Sequence, residues 1–184
     1  MAQIKNRWTD KVICEGEQPI KELAGKNRAN LSGANLYRAD LYRANLYRAN
    51  LYMANLSGAD LYRANLYRAN LSGADLSGAN LEFYQFPSIR LISSINLGSL
   101  SDGLTLELMR RDAYAHPKPE KFDEWANGGD CPYQNEERCW FFQEKQNLWK
   151  RGNPTTKDSD LIFAICKEKG WGIKGYLEIE KTSK

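Results

Sequence analysis

Acid–base chemistry in this chain would have to run through a single imidazole, His116. It precedes Pro117 at the end of a predicted helix, with Asp112 one turn back and Asp123 and Glu124 soon after, residue types that general acid–base catalysis uses. A histidine at a helix carboxy terminus also complements the dipole and caps free carbonyls, and that is the expected role. Cys131 and Cys139 have seven residues between them, unlike the CxxC pairs of structural zinc sites, and Cys14 and Cys166 are remote. All four are therefore read as buried or idle thiols, neither a metal site nor a disulfide scaffold. The sequence holds no glycine-rich phosphate loop, Walker motif or GxSxG elbow. The expectation is a chain without catalytic residues, metal or cofactor.

Tyrosine and arginine carry the other usable chemistry, and their spacing is regular. From Ala29 to Phe83 the chain repeats every five residues: Ala, Asn or Asp, Leu, then usually Tyr-Arg or Ser-Gly. Leucine holds the third place in all eleven units, from Leu31 to Leu81, and alanine the first, from Ala29 to Ala79. On an α-helix each leucine would rotate ~140° from the last, and on a flat strand odd spacing alternates faces, so neither form buries the leucines together. A chain that turns once per unit does, with Ala and Leu pointing inward and the remaining residues outward. Asn or Asp before each Leu suits a corner because its side chain bonds nearby backbone, and Gly33, Gly58, Gly73 and Gly78 relax φ where the chain bends.

These units resemble the pentapeptide-repeat family, whose pattern is A(D/N)LXX. The resemblance implies a mainly β fold: a right-handed quadrilateral β-helix with four pentads per coil, hence about 2.75 coils at ~4.8 Å spacing, roughly 13 Å tall. Open coil ends need covers. Residues 1–28 are expected to be an amino-terminal cap. In it Lys11 to Cys14 has strand character, Ile20 to Leu23 forms a helical turn, and Ala24 to Arg28 is a degenerate unit with Lys26 in the leucine place. Residues 29–83 form the repeat, ended by the bulk of Phe83, Tyr84, Phe86 and Pro87.

Residues 84–184 are expected to be an α-rich module packed on the coil through its aromatics. Ser101 or Asp102 caps a helix to about Ala115, a short helix covers Phe122 to Ala126, and Leu161 to Lys169 forms a third, stopped by Gly170. Trp171 to Glu180 reads as an edge strand. The run from Arg111 to Tyr133 resembles a carboxy-terminal extension on pentapeptide-repeat proteins of bacteria and their phages, which implies a phage or prophage setting and no chemistry.

If four pentads make a coil, Tyr42 stacks over Tyr62, Arg43 over Arg63, Tyr47 over Tyr67 and Arg48 over Arg68, giving two adjoining walls of Tyr/Arg ladders. Ladders of this kind either solubilise a β wall through Arg over Tyr contacts or form a macromolecular binding face, since Arg and Tyr are enriched at interface hot spots. Some family members mimic DNA with acidic surfaces and engage DNA gyrase. Residues 24–83 carry seven basic residues against four acidic ones, the wrong sign for such a mimic.

The full chain of 184 residues has 26 Lys+Arg against 23 Asp+Glu and 42% hydrophobic residues, a globular composition without a basic or acidic tail. No apolar run approaches the ~18 residues of a membrane span and no signal-peptide pattern opens the chain, so the cytoplasm is the expected location. The expected function is a non-enzymatic protein-interaction scaffold, with an unidentified protein or a second copy of the chain as partner. The alternatives are a weak nucleic-acid or polyanion binder using Arg43, Arg48, Arg63 and Arg68, and an enzyme centred on His116.

Overall fold

Each repeat divides into a short extended piece and a turn. The computed structural model describes residues 1–83, 87–133, 139 and 142–174. In the repeat the leucine carbonyl accepts the N–H of the alanine three residues on, from Leu31 to Ala34 (3.1 Å) through Leu76 to Ala79 (3.1 Å). Only the third residue of each such turn has positive φ, the type II pattern. The Asn or Asp side chain braces the turn by accepting the N–H two residues on: Asp40 Oδ1 from Tyr42 (3.0 Å), Asn65 from Tyr67 (3.1 Å) and Asp75 from Ser77 (2.9 Å). The expected corner role of Asn/Asp is thus met by an Asx bond.

Within the repeat, successive coils pair in parallel at an offset of twenty residues, or four pentads, through backbone hydrogen bonds that span nineteen and twenty-one residues in alternation. Leu36 N–H reaches the Asn55 carbonyl (2.8 Å) and Asn55 N–H the Ala34 carbonyl (2.9 Å), and parallel bridges such as Asp40 with Asp60 and Asn45 with Asn65 repeat the register. The inner columns are buried, with Leu31, Leu36, Leu41, Leu46, Leu51, Leu56, Leu61, Leu71, Leu76 and Leu81 all but solvent-free. Ala39, Leu66 and Ala69 are only half-buried, and Ala29, in a 3-10 turn at Arg28–Asn30, is exposed. The alanine column therefore starts at Ala34.

The amino-terminal segment is a lid. Strands β1 (Ala2–Asn6) and β2 (Val12–Gly16) form an antiparallel hairpin, and β1 also pairs antiparallel with β3 (Ala34–Asn35), closing one open edge of the coil. Helix α1 (Ile20–Lys26) closes another, with Gly25 so near the coil that a Cβ there would meet the Asn45 carbonyl oxygen at 3.3 Å. Ala24 to Arg28, expected as a degenerate repeat, is instead the end of α1 followed by the 3-10 turn. Leu23 and Ala24 are buried beneath it and Lys26 is exposed.

At the other end, β4 (Asp60–Leu61) pairs in parallel with β5 (Asn80–Phe83), which pairs in parallel with β6 (Gly172–Ile173). Buried Trp171 donates its Nε1–H to the Ala79 carbonyl (2.8 Å) and meets Phe83 edge-on at 5.9 Å. Residues 94–98 also join the coil: Asp75 bridges Asn96, Gly73 N–H reaches the Ser94 carbonyl, and Asn96 Oδ1 accepts Gly98 N–H (2.9 Å). Ile95-Asn96-Leu97 matches the first three places of a pentad, with Ile for Ala. Of the expected bulky end, Phe83 and Pro87 are buried, whereas Tyr84 and Phe86 lie outside the described residues, as do residues 175–180 of the expected edge strand.

Around this end pack α2 (Ile89–Ser94), α3 (Asp102–Ala115), α4 (Lys121–Ala126) and α5 (Asp158–Lys169), the last closed by Gly170 at φ +67°. Helices hold more of the described residues than strands do, so the mainly β expectation applies to the pairing of residues 34–83 and not to the chain. Among the described residues no helix is long and apolar enough to cross a membrane.

Candidate interaction surface

Of the residues that could have formed an acid–base cluster, His116, Asp123 and Glu124 have other partners. Lys118 N–H donates to His116 Nδ1 (3.0 Å), and the imidazole packs edge-on against Phe122 at 5.6 Å. Asp123 accepts from Trp149 Nε1 (2.8 Å) and Arg151 (2.9 Å), and Glu124 pairs with Lys121. His116 thus stabilises the turn after α3, close to the helix-end role expected of it. Cys131 and Cys139 are joined by a disulfide, which corrects their reading as idle thiols. Eight residues of separation let the chain double back, and CxxC spacing is no requirement for that. Cys166 is buried, with its thiol pushed up to about 12 by desolvation, and burial also raises Cys14. Among the described residues no group of three His, Cys, Asp or Glu side chains is placed to hold a metal ion.

The ladders form as expected, but along edges and not on flat walls. Tyr-Arg occupies the two turn positions of its pentad, so Tyr42/Arg43 with Tyr62/Arg63 line one edge of the coil and Tyr47/Arg48 with Tyr67/Arg68 the next. Tyr42 stacks on Tyr62 with ring centroids 6.2 Å apart and Tyr47 on Tyr67 at 5.9 Å. Each arginine lies over its own tyrosine, at 5.1 Å for Arg43, 5.2 Å for Arg48, 5.3 Å for Arg63 and 5.2 Å for Arg68. The rings are consequently half-buried while the four arginines remain exposed. The exposed groups at these four turns are the guanidiniums. The hydrogen bond and charge of Tyr62, then the charge of Tyr42, raise the basicity of Arg63 further.

The backbone under these arginines is left-handed. Arg38, Arg43, Arg48, Met53, Arg63 and Arg68 have φ between +52° and +60°, the same region as Gly33, Gly58, Gly73 and Gly78. For a residue with a Cβ that region costs roughly 1–2 kcal/mol, which glycine escapes. Glycine at 58 has a second reason, since a Cβ would meet Arg38 Cγ at 3.1 Å.

Between the two edges runs a wall made of Ala44-Asn45-Leu46 and Ala64-Asn65-Leu66, with no acidic residue. Arg28, at the lid, extends one edge by donating to Asn45 Oδ1 (3.3 Å) and the Tyr47 carbonyl (3.4 Å). Among the described residues no ion pair involves Arg28, Arg43, Arg48, Arg63 or Arg68. A groove of about 360 Å³ opens where α1 meets this wall, lined by Lys21, Lys26, Tyr42, Arg43 and Asn45 with Glu22.

The model of the pentapeptide-repeat family matches residues 27–61 and 44–82, in eight copies. Residues 27 to 82 are pentapeptide repeats. No curated protein matches the chain. The pentapeptide repeats therefore supply the scaffold on which both Tyr/Arg ladders stand, and the helical segment beyond residue 87 has no counterpart in the match.

Proposed function

We propose that this pentapeptide-repeat protein is a non-enzymatic interaction scaffold whose repeats wind as a right-handed quadrilateral β-helix. The twenty-residue pairing offset supports four sides per coil, and pentapeptide-repeat proteins are generally structural or interaction proteins. One observation carries the interaction reading. Arginine stands at left-handed turn positions that glycine would fill at lower cost, and on two adjacent edges it does so in register with stacked tyrosine. A wall needing only solubility is served by Ser-Gly, which holds most turns of the other two edges, where Tyr37-Arg38 and Tyr52-Met53 stand singly without a stacked Tyr-Arg partner. Uncompensated charge and strain on two neighbouring edges are the expected mark of a surface kept for a partner.

The test is affinity capture from the native host with the intact chain and with Tyr42, Arg43, Tyr47, Arg48, Tyr62, Arg63, Tyr67 and Arg68 replaced by the Ser-Gly pairs used elsewhere in the repeat. A specific protein recovered by the intact chain and lost by the variant supports the scaffold. Recovery of the same protein by both removes these edges from the interaction.

A further inference from the structure

We infer that the wall between the two ladders receives an acidic, extended segment of a partner protein, an inference that rests on the scaffold reading above. The decisive feature is the direction of its hydrogen-bonding groups. The carboxamide oxygens of Asn45 and Asn65 are already engaged, accepting the N–H of Tyr47 (3.3 Å) and Tyr67 (3.1 Å), and Asn45 also accepts from Arg28 (3.3 Å). What each amide has left to offer a ligand is therefore chiefly its NH₂. On either side stand the guanidiniums of Arg43 and Arg63 and of Arg48 and Arg68, donors without acceptor capacity. Apart from tyrosine hydroxyls, which donate as readily as they accept, the side chains across this wall offer donors only.

A surface of donors and positive charge selects a ligand of acceptors and negative charge. The acids nearest in the fold lie off the wall: Asp40 and Asp60 on the preceding side, Glu82 at the far end of one ladder and Glu22 on α1. Both Asp40 and Asp60 already accept the N–H of the following tyrosine, at 3.0 and 3.1 Å. None of the wall's arginines is neutralised from within the described chain. Carboxylates fit the planar fork of guanidinium with two parallel hydrogen bonds, and the NH₂ groups of Asn45 and Asn65 are placed for backbone carbonyls running between the ladders.

Phosphate would satisfy the same donors, but the aromatic groups decide against nucleic acid. Single strands gain much of their affinity by stacking bases on open aromatic faces. Here the tyrosines on each edge face one another and each carries its own arginine, so the faces are taken. Four exposed arginines also make a small footprint for a duplex, where affinity follows the number of phosphates neutralised.

The test measures fluorescence anisotropy of labelled octaglutamate, and of labelled nine-residue oligothymidylate whose eight phosphodiesters match the eight side-chain carboxylates, against the full-length protein. Two variants accompany the wild type. R43G/R48G/R63G/R68G removes the guanidiniums while relieving left-handed backbone, so its coil is not expected to unfold. K11Q/K118Q/K150Q/K157Q removes the same charge from exposed positions elsewhere. We expect octaglutamate to bind the wild type at least as tightly as the oligothymidylate, to lose tenfold or more in the arginine variant, and to change less than threefold in the lysine variant. Oligothymidylate binding tenfold tighter would identify the partner as nucleic acid, and equal losses in both variants would reduce the effect to net charge. Either result, or no octaglutamate binding to the wild type, overturns the inference. If octaglutamate fails while affinity capture still recovers a ladder-dependent protein, the scaffold stands without the acidic partner. If octaglutamate binds and no ladder-dependent protein is recovered, the scaffold reading is the one that fails.

Discussion

Replacing Leu56 tests the coil where its register is most constrained. Leu56 is 0% exposed, midway in its column between Leu36 and Leu76. Leucine to alanine in a packed core costs about 2–5 kcal/mol, the larger values arising where the surroundings cannot close on the cavity. Closure is difficult here, because Leu56 N–H is held to the Asp75 carbonyl at 2.8 Å and Leu36 N–H to the Asn55 carbonyl at 2.8 Å, which fixes the spacing of the coils. Leu56→Ala should therefore lie in the upper half of that range, and Leu56→Asp should cost several kcal/mol more by burying an unpaired carboxylate. The aspartate can avoid part of this by staying protonated, which raises its folded pKa above the unfolded ~3.9. The deficit of Leu56→Asp is then smallest below that unfolded value and grows as pH rises toward the folded one. Urea unfolding followed by far-UV circular dichroism at pH 4 and pH 7 measures both terms. Leu66, only half-buried, provides the internal control, and Leu66→Ala should cost clearly less. An unchanged midpoint for Leu56→Asp, or equal losses at 56 and 66, would refute the inward register.

Buried Glu107 accepts Thr155 N–H (2.7 Å), the Thr155 hydroxyl (3.1 Å) and Thr156 N–H (2.8 Å). Burial pushes its pKa up, but the bonds from Thr156 and Thr155 and the charge of Arg111 outweigh it and hold it below the usual value. Its stabilisation is thus present above the unfolded pKa and lost as pH falls through the folded one, and Glu107→Gln should flatten that acid limb in urea titrations across pH 3–6. Trp171→Phe leaves the Ala79 carbonyl buried without its donor and should cost about 1–3 kcal/mol in the same assay, whereas an exposed contact would cost nothing measurable. Arg48→Gly should be more stable than Arg48→Ala by ~1 kcal/mol, since both lose the Tyr47 contact but only alanine keeps the left-handed penalty; equal midpoints would contradict φ +57° at this residue. Thiol titration in denaturant should find two free cysteines before reduction and four after, and opening the Cys131–Cys139 loop should lower stability by up to ~2.5 kcal/mol.

The repeat was legible because three of its five positions are set by local physics. Leucine fills the interior, alanine leaves room beside it, and Asn or Asp satisfies the turn N–H two residues away. Local rules also delivered α3 and α5, whose bounds follow from Ser101 with Pro117 and from Gly170. The misses are long-range. Nothing local says that Trp171 returns to the Ala79 carbonyl across ninety-two residues, or that β6 pairs with β5. The pairing of Cys131 with Cys139 depends on a chain reversal that the spacing permits but does not announce. Residues 94–98 were readable in principle, yet α2 separates them from the other pentads and isoleucine replaces the alanine that marks the unit.

The two turn positions are where local physics stops dictating and function begins to show. Both Ser-Gly and Tyr-Arg close the same turn with the same hydrogen bond, as Leu56 to Ala59 (3.0 Å) and Leu61 to Ala64 (2.9 Å) demonstrate. The fold is therefore indifferent to the choice except for the conformational cost, and that cost favours glycine. A sequence reading that treats Gly58 as the residue required by the bend must also ask why Arg63 occupies the next such bend at φ +60°. Stability supplies no answer: the stacking of Tyr42 on Tyr62 and the Arg63 contact over Tyr62 compensate for strain that Ser-Gly would never have incurred. Arg38 stands alone on a third edge, whereas stacked Tyr/Arg pairs occur only on the two adjacent edges around the acid-free wall, and that pairing is the reason we propose this wall, and not the aromatic cluster beyond residue 87, as a partner surface.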